Sequence, residues 1–302
     1  SSDVCSSDLL ALWQAEDVKA RLNAHSPNLK IQLEIIRTAG DGIRNVPPIA
    51  LGKGVFTREI ELALLEGAID LAVHSIKDLP TDLPDGLCIA AIPTREDPRD
   101  VLVSELDQTL EMLPVGARIG TASPRRRSQL LYLRPDLQVV EVRGNLDTRL
   151  RKLHQEGLDG VLLAAAGIKR LIGEDIITAY FDVDRMVPAA GQGALGIETR
   201  EDDDEIKQLL HAVNDHDSEL EVVAERSVLR RLGGGCQVPI GVNAKLSDNR
   251  LSMIAVVCSP DGRRRVCAKQ SDKCANIIGL GESLVQSLRM QGAGDILDAG
   301  CG

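Results

Sequence analysis

Residues 31–35 place Ile31, Leu33 and Ile35 on alternate positions, so that an extended chain would carry all three on one face; the spacing predicts a half-buried strand. The period then lengthens. Phe56, Ile60, Ala63 and Leu64 recur at helical spacing, and a short apolar run at 69–73 follows a glycine turn. The same succession returns downstream. ARIGTAS leads into a helix, LQVVEV leads through RGN into a second, and DGVLLAAAG leads into a third. Strands alternating with helices predict a parallel or mixed sheet covered by helices. In such sheets ligands bind outside the carboxyl ends of the strands.

The pattern changes twice along the chain. TREDPRD (94–100) is charged, contains a proline, and reads as a crossing between two α/β domains. In the last third a charge-rich helix (216–232) precedes short strands at 241–246 and 251–257 around the turn SDNR, with a final helix near 276–290. That sequence of elements predicts a smaller α+β domain. GQGALG (191–196) matches the dinucleotide-binding G-x-G-x-x-G, but no clear strand enters it and no suitable helix opens from it, so a Rossmann site is rejected.

A chain of 302 residues is too long for one ordinary core. It has no run of eighteen or more apolar residues, so no membrane span is expected, and no signal peptide is visible. Seven cysteines (5, 88, 236, 258, 267, 274 and 301) form no C-x-x-C pair, which argues against a disulfide framework or a metal site and for a reducing cytoplasm. The net charge of −10 speaks against bulk affinity for nucleic acid. Against that acidic background, residues 118–152 carry nine basic and three acidic side chains. A basic island in an acidic protein suggests a local anion site.

Polar residues collect where strands end. His74, Ser75, Lys77 and Asp78 follow one predicted strand, Thr121 and Ser123 another, and Arg143 and Asn145 a third, which favours one shared cleft. Ser123-Pro124 is an N-cap and first-turn pair, and a helix N-terminus offers free N–H groups to an anion. Arg125, Arg126 and Arg127 occupy that first turn, where positive charge opposes the helix dipole unless an anion compensates it. Arginine forks, with Arg143 and Arg149 adding more, suit a ligand bearing several carboxylates or phosphates. Asp78 is the exception in sign. It is either an ion-pair partner or an acceptor for ligand N–H groups that supports a developing cation. Pyrroles with carboxylate side chains combine acidic arms with an N–H core. Separately, GGGCQVPIG (233–241) sets one thiol, Cys236, on a loop stripped of bulk and stiffened by Pro239. It is a small hydrophobe in a tight turn or a presented thiol.

These stretches together resemble the porphobilinogen deaminase family. The resemblance runs from LALWQA (10–15) nearly to the C-terminus through GKGVFTREIE (52–61), AVHSIKDLP (72–80), REDPRD (95–100), GTASPRRRSQL (120–130), VRGNLDTRL (142–150), AAAGIKRL (164–171), PAAGQGALGIE (188–198) and ERSVLRRLGGGCQVPIG (225–241). It implies two domains like type II periplasmic binding proteins, at 1–94 with 193–213 and at 99–188, and a small C-terminal α+β domain at 216–302. It also implies an enzyme that joins four porphobilinogen molecules head to tail, with loss of ammonia, on a covalent dipyrromethane cofactor. Cys236 matches the cysteine that carries this cofactor through a thioether. Asp78 matches the catalytic aspartate, which contacts pyrrole nitrogens and supports a cationic azafulvene-like intermediate. Lys53, Ser75, Lys77, Thr121, Ser123, Arg125, Arg126, Arg143, Gly144 and Arg149 match positions that hold the acetate and propionate arms, and Gln192 matches a position at the domain crossing. A monomer without metal, membrane or nucleic-acid partners is expected.

Two stretches depart from the family pattern. IALGKG (49–54) lacks the usual lysine and double glycine before K-G, so one basic contact is absent. SSDVCSSDL (1–9) stands where the family has a strand ending in T-R-x-S; Ser6 and Asp8 occupy the arginine and serine positions. Residues 1–8 are therefore expected to pair poorly with the first sheet, and an inactive homologue or a cytoplasmic anion receptor are the competing readings.

Overall fold

The computed structural model describes residues 9–36, 57–233 and 239–299. The expectations for residues 1–8, for Lys53 and Phe56, and for Cys236 lie outside the described residues. The chain divides into two compact units, residues 1–95 with 194–219 and residues 96–193 with 220–302. The first division falls inside TREDPRD, between Arg95 and Glu96.

In the first unit, helix α1 (Leu9–His25) buries Gln14, Val18 and Leu22, which repeat every four residues and so line one face. A second helix, α2 (Arg58–Leu65), buries Leu64. Strands β1 (Ala72–Ser75) and β2 (Leu87–Ala91) flank β8 (Leu195–Arg200) in an antiparallel sheet of order β1-β8-β2. Val18 and Leu22 pack on Ala91, Leu195 and Ile197 together with Leu210 of α6 (Asp204–Leu210). The strand expected at 31–35 does not form. Leu29 and Ile31 do pack against this core, but residues 29–36 join no ladder among the described residues, and Ile35 is 70% exposed. Alternation decides which side chains turn inward; a strand also requires a partner for its backbone N–H and C=O groups.

The described residues of the second unit form two sheets. The larger has the order β5-β4-β6-β3-β7, formed by β3 (Asp100–Ser104), β4 (Arg118–Gly120), β5 (Gln138–Val140), β6 (Gly160–Ala164) and β7 (Ala179–Tyr180). Strand β4 runs parallel to β5 and β6, whereas β3 runs antiparallel to β6 and β7. The connections are the predicted helices α3 (Pro124–Leu133) and α4 (Leu146–Gln155), and α5 (Ala165–Leu171) follows β6. Both faces of this sheet are buried, and the two-residue period sorts its side chains between them. Leu102 and Leu162 join Ile119, Leu130 and Met186 in one core. Val101, Val103, Val161 and Leu163 join Val142 and Leu153 in the other. That is why DVLVS and GVLLA read as continuous apolar runs.

The smaller sheet, of order β11-β10-β9, is antiparallel and comprises β9 (Ile240–Ser247), β10 (Arg250–Cys258) and β11 (Arg265–Lys273). The β9–β10 turn has Asp248 and Asn249 at φ +49° and +60°, the left-handed pair that a two-residue hairpin requires and that Asx side chains tolerate. Met253, Ala255 and Val257 face Ala224 and Val228 of α7 (His216–Arg231) and Leu284 of α8 (Ile277–Met290). The alternate residues Ile254, Val256 and Cys258 face Val187. A last helix, α9 (Ala293–Ala299), adds Ala293 and Ile296 to the first of these cores. The fold is thus mixed α/β followed by a separate α+β region. No described helix is long and apolar enough to cross a membrane.

Candidate active site

In the first unit β1 ends at Ser75 and passes directly into a 3-10 helix, Ile76–Asp78. Two buried anchors fix this turn, Ile76 at 1% exposure and Leu79 at 4%. The Ile76 N–H donates to the Ala194 carbonyl at 3.1 Å, and the Leu79 N–H donates to the Ile76 carbonyl at 3.2 Å. With both apolar residues turned inward, Lys77 is left half-buried and Asp78 exposed. Gln14, buried on α1, donates through Nε2 to Ser75 Oγ at 3.0 Å, which fixes the hydroxyl at the strand end. His74 belongs elsewhere. It lies within β1 rather than after it, is buried, and bonds through Nε2 to the buried Glu198 at 2.9 Å. The sequence reading grouped His74 with the ligand-type residues, whereas the structure pairs it inside the protein.

In the second unit Thr121 and Ser123 lie between β4 and α3. The Thr121 N–H extends the β4–β5 pairing by donating to the Val140 carbonyl at 2.9 Å, and Thr121 Oγ1 accepts the Ser123 N–H at 3.2 Å. Ser123 is the N-cap of α3, with its Oγ accepting the Arg126 N–H at 3.4 Å and Pro124 in the first turn. Because β5 is the parallel neighbour of β4, with Gly120 opposite Val140, both strands open on the same edge. From β5 come buried Val142, exposed Arg143, and Gly144 at φ +118°. A Cβ at Gly144 would collide with Thr148, whose N–H is capped by Asn145 Oδ1 at 3.0 Å, so glycine is needed to start α4 this tightly. Arg149 Nε donates to the Gly144 carbonyl at 2.7 Å, and Arg143 pairs with the Glu141 carboxylate.

Arg125 and Arg126 depart from the simple expectation of forks aimed at a ligand. They are 5% and 4% exposed, and between them stands the fully buried carboxylate of Asp100, the first residue of β3. Arg125 donates through Nη1 to Asp100 Oδ2 at 2.6 Å and to the Val187 carbonyl at 2.8 Å. Arg126 donates through Nε to Asp100 Oδ1 at 2.8 Å and through Nη1 to the Leu162 carbonyl at 3.1 Å. Gln192, 1% exposed, donates through Nε2 to Asp100 Oδ1 at 2.9 Å and to the Pro98 carbonyl at 2.7 Å. Burial alone would raise the Asp100 carboxyl, but the charges of Arg125 and Arg126 outweigh it and hold the group far below the usual carboxylate range. Positive charge in a first turn needs a compensating anion. Here the protein supplies one itself. Arg127, the third of the run, is exposed and donates to the Val139 carbonyl at 3.2 Å.

GQGALG is a turn (191–193) that runs into β8, with Gly191 and Gly193 at φ +73° and +89°. A strand follows the glycines where a dinucleotide fold would place a helix, in agreement with the rejection of that motif. The Gly191 N–H donates to the Glu225 carboxylate of α7 at 2.6 Å, and the same buried carboxylate accepts the Ala244 N–H of β9 at 2.7 Å. Reading by residue type missed both Asp100 and Glu225. The available signal was an acidic residue beside an apolar run, Asp100 before VLV and Glu225 in VVAERSVL, at positions that a core would bury.

Cys236 and Lys53 lie outside the described residues. Of the flanks of the cysteine loop, α7 ends at Arg231, and Pro239, whose carbonyl accepts the Cys258 N–H at 3.0 Å, leads into β9. Cys88, Cys258, Cys267 and Cys274 are free thiols, and the described residues hold no group of three or more side chains suited to a metal ion.

At its strand end the first unit carries the Ser75 hydroxyl, half-buried Lys77 and the exposed Asp78 carboxylate, while the second carries the Ser123 hydroxyl, exposed Arg143 and half-buried Arg149, with Thr121 4% exposed. Residues 6–208 match the family model described as "Porphobilinogen deaminase, dipyromethane cofactor binding domain", and residues 219–289 match "Porphobilinogen deaminase, C-terminal domain". The chain is 48% identical over 291 residues to the porphobilinogen deaminase of Syntrophotalea carbinolica, covering 96% of this chain and 92% of that one. It is 47% identical over 291 residues to that of Syntrophobacter fumaroxidans, covering 96% and 94%. Among solved structures, an ancestral cationic amino acid solute binding protein is 12% identical with a TM-score of 0.42, covering 67% of this chain and 77% of that one. The chain belongs to the porphobilinogen deaminase family.

Proposed function

We propose that this chain joins four porphobilinogen molecules head to tail, each losing one ammonia, on a dipyrromethane primer held by Cys236, and that water then cleaves the bond to the primer and releases the tetrapyrrole as hydroxymethylbilane. The observation that carries this reading is the match to the dipyrromethane-binding family model across residues 6–208, which contain the ends of β1, β4 and β5. The donor set supports it, as the chemistry of Arg143, Arg149, Ser75, Thr121 and Ser123 fits the arms of such a primer. When bound, the primer would supply the nucleophilic pyrrole carbon to which the first unit is joined, each later unit being joined to the pyrrole added before it.

The remaining work falls to the chain's own side chains. Arg143 and Arg149, beside the start of α4, bind carboxylate arms and orient the ring that bears them. At the α3 N-terminus Pro124 has no N–H and Ser123 takes those of Arg126 and Arg127, which leaves the Arg125 N–H to meet another arm. Asp78, held outward by Ile76 and Leu79, accepts N–H hydrogen bonds and stabilises the positive charge that develops as ammonia departs. Lys77 and Lys53 add positive charge for the arms. Gln192 braces Asp100 and acts through it rather than as a direct contact.

We further read the second unit as two domains, a central one and a C-terminal one carrying the cysteine loop, and the enzyme as a monomer working in the cytoplasm without nucleic acid. The direct test is incubation of the purified chain with porphobilinogen. Release of about four ammonia per tetrapyrrole formed supports the proposal. Consumption without tetrapyrrole, or no consumption at all, refutes it.

A further inference from the structure

We propose that Asp100 is a positioning residue for this reaction, holding Arg125 and Arg126 in register with the strand-end hydroxyls of Thr121 and Ser123. The inference rests on the function proposed above.

Three observations lead to it. First, the Asp100 carboxylate is saturated from several directions. Oδ2 takes Arg125 Nη1 at 2.6 Å, while Oδ1 takes Arg126 Nε at 2.8 Å, Gln192 Nε2 at 2.9 Å and Arg125 Nη2 at 3.2 Å. Such a set fixes the rotation of both guanidinium planes. Second, the network crosses elements that the chain keeps far apart in sequence. Asp100 starts β3, the arginines open α3, Gln192 lies in the turn before β8, and Arg126 also reaches the Leu162 carbonyl of β6. Third, stability does not account for the arrangement. Buried charged triads are commonly matched or bettered by apolar side chains of the same volume. Two guanidinium groups and one carboxylate also leave net positive charge at the foot of a helix whose first turn contains no acid. That arrangement suits an incoming anion, and the cost of ordering two long side chains is met on folding rather than on binding.

The test uses Asp100→Asn and Asp100→Glu in the full chain. The readouts are thermal unfolding, KM for porphobilinogen per primed molecule, and the rate at which apoprotein incubated with porphobilinogen gains covalent mass. In Asp100→Asn the proposal expects a folded protein whose KM rises, and whose mass gain slows, by about tenfold or more. Asp100→Glu keeps the charge but displaces the carboxylate by one methylene. It is expected to fold and still show the raised KM, which a purely structural carboxylate would not produce. Parent values of KM and mass gain in folded Asp100→Asn overturn the proposal. If Asp100→Asn does not fold, parent values in Asp100→Glu do so. A parent chain that makes no tetrapyrrole refutes the functional reading and this inference with it, whereas an active parent with unaffected variants refutes this inference alone.

Discussion

The Gly191 N–H donates to the Glu225 carboxylate at 2.6 Å, and Gln192, the next residue, donates to Asp100 at 2.9 Å. One turn therefore touches two buried carboxylates. Through Glu225 it is tied to Ala244 and Asn243 of β9, the strand that follows the cysteine loop. Glu225→Gln replaces one acceptor oxygen with a donor among N–H groups, leaving buried donors unmatched. A stability loss of about 2–4 kcal/mol is expected. Chemical denaturation measures it, and a loss below about 0.5 kcal/mol would show that the carboxylate is not needed.

Asp78→Asn should leave the fold unchanged, because the side chain is exposed and its turn is held by Ile76 and Leu79. Turnover should fall on the order of 10²-fold, since the amide keeps the size but removes the negative charge that supports the developing cation. Single-turnover rates with bound porphobilinogen check this, and near-parent rates would make Asp78 a surface residue.

Arg143→Leu and Arg126→Leu should differ in kind. Exposed Arg143 loses arm binding with little effect on folding, so KM rises about tenfold or more while the melting temperature holds. Arg126→Leu strips Asp100 of one partner in the interior and should lower stability by about 3 kcal/mol as well. Equal melting temperatures for the two variants would contradict the burial of Arg126.

Acid stability carries the signature of Asp100. Burial would raise its carboxyl, but Arg125 and Arg126 overcome that and depress it. A group depressed on folding stabilises the native state above its unfolded value of about 3.9, and that contribution is lost as pH falls through the lower folded value. The melting-temperature gap between parent and Asp100→Asn should therefore stay constant from about pH 7 to 5 and narrow below about pH 4. A gap that persists unchanged in acid would mean that the carboxylate is not the source.

Much of this was visible in residue order. ARIGTASPRRR yields strand, cap and helix because its apolar pair, its Ser-Pro and its helix formers are all local signals. Partners were not visible. The run Arg125–Arg127 shows charge, but its counter-ion comes from Asp100, 25 residues before Arg125, and only the packing of α3 against β3 and β6 brings them together. His74 gave no sign of Glu198, 124 positions away. Strand β11 (RVCAKQSDK) is poor in apolar alternation and is a strand because β10 supplies a nine-residue ladder. Conversely, Ile31, Leu33 and Ile35 alternate without gaining a ladder among the described residues.

The central claim is that Cys236 carries the primer, and it is tested most directly by the intact mass of the purified chain with peptide mapping of all seven cysteines. The account predicts one covalent adduct of two linked pyrrole units, confined to the peptide containing Cys236. Cys236→Ser should abolish it while the chain stays folded, because a serine hydroxyl is a far poorer nucleophile than a thiolate. An active chain with a bare Cys236, or an adduct on Cys88, Cys274 or any other cysteine, would contradict it.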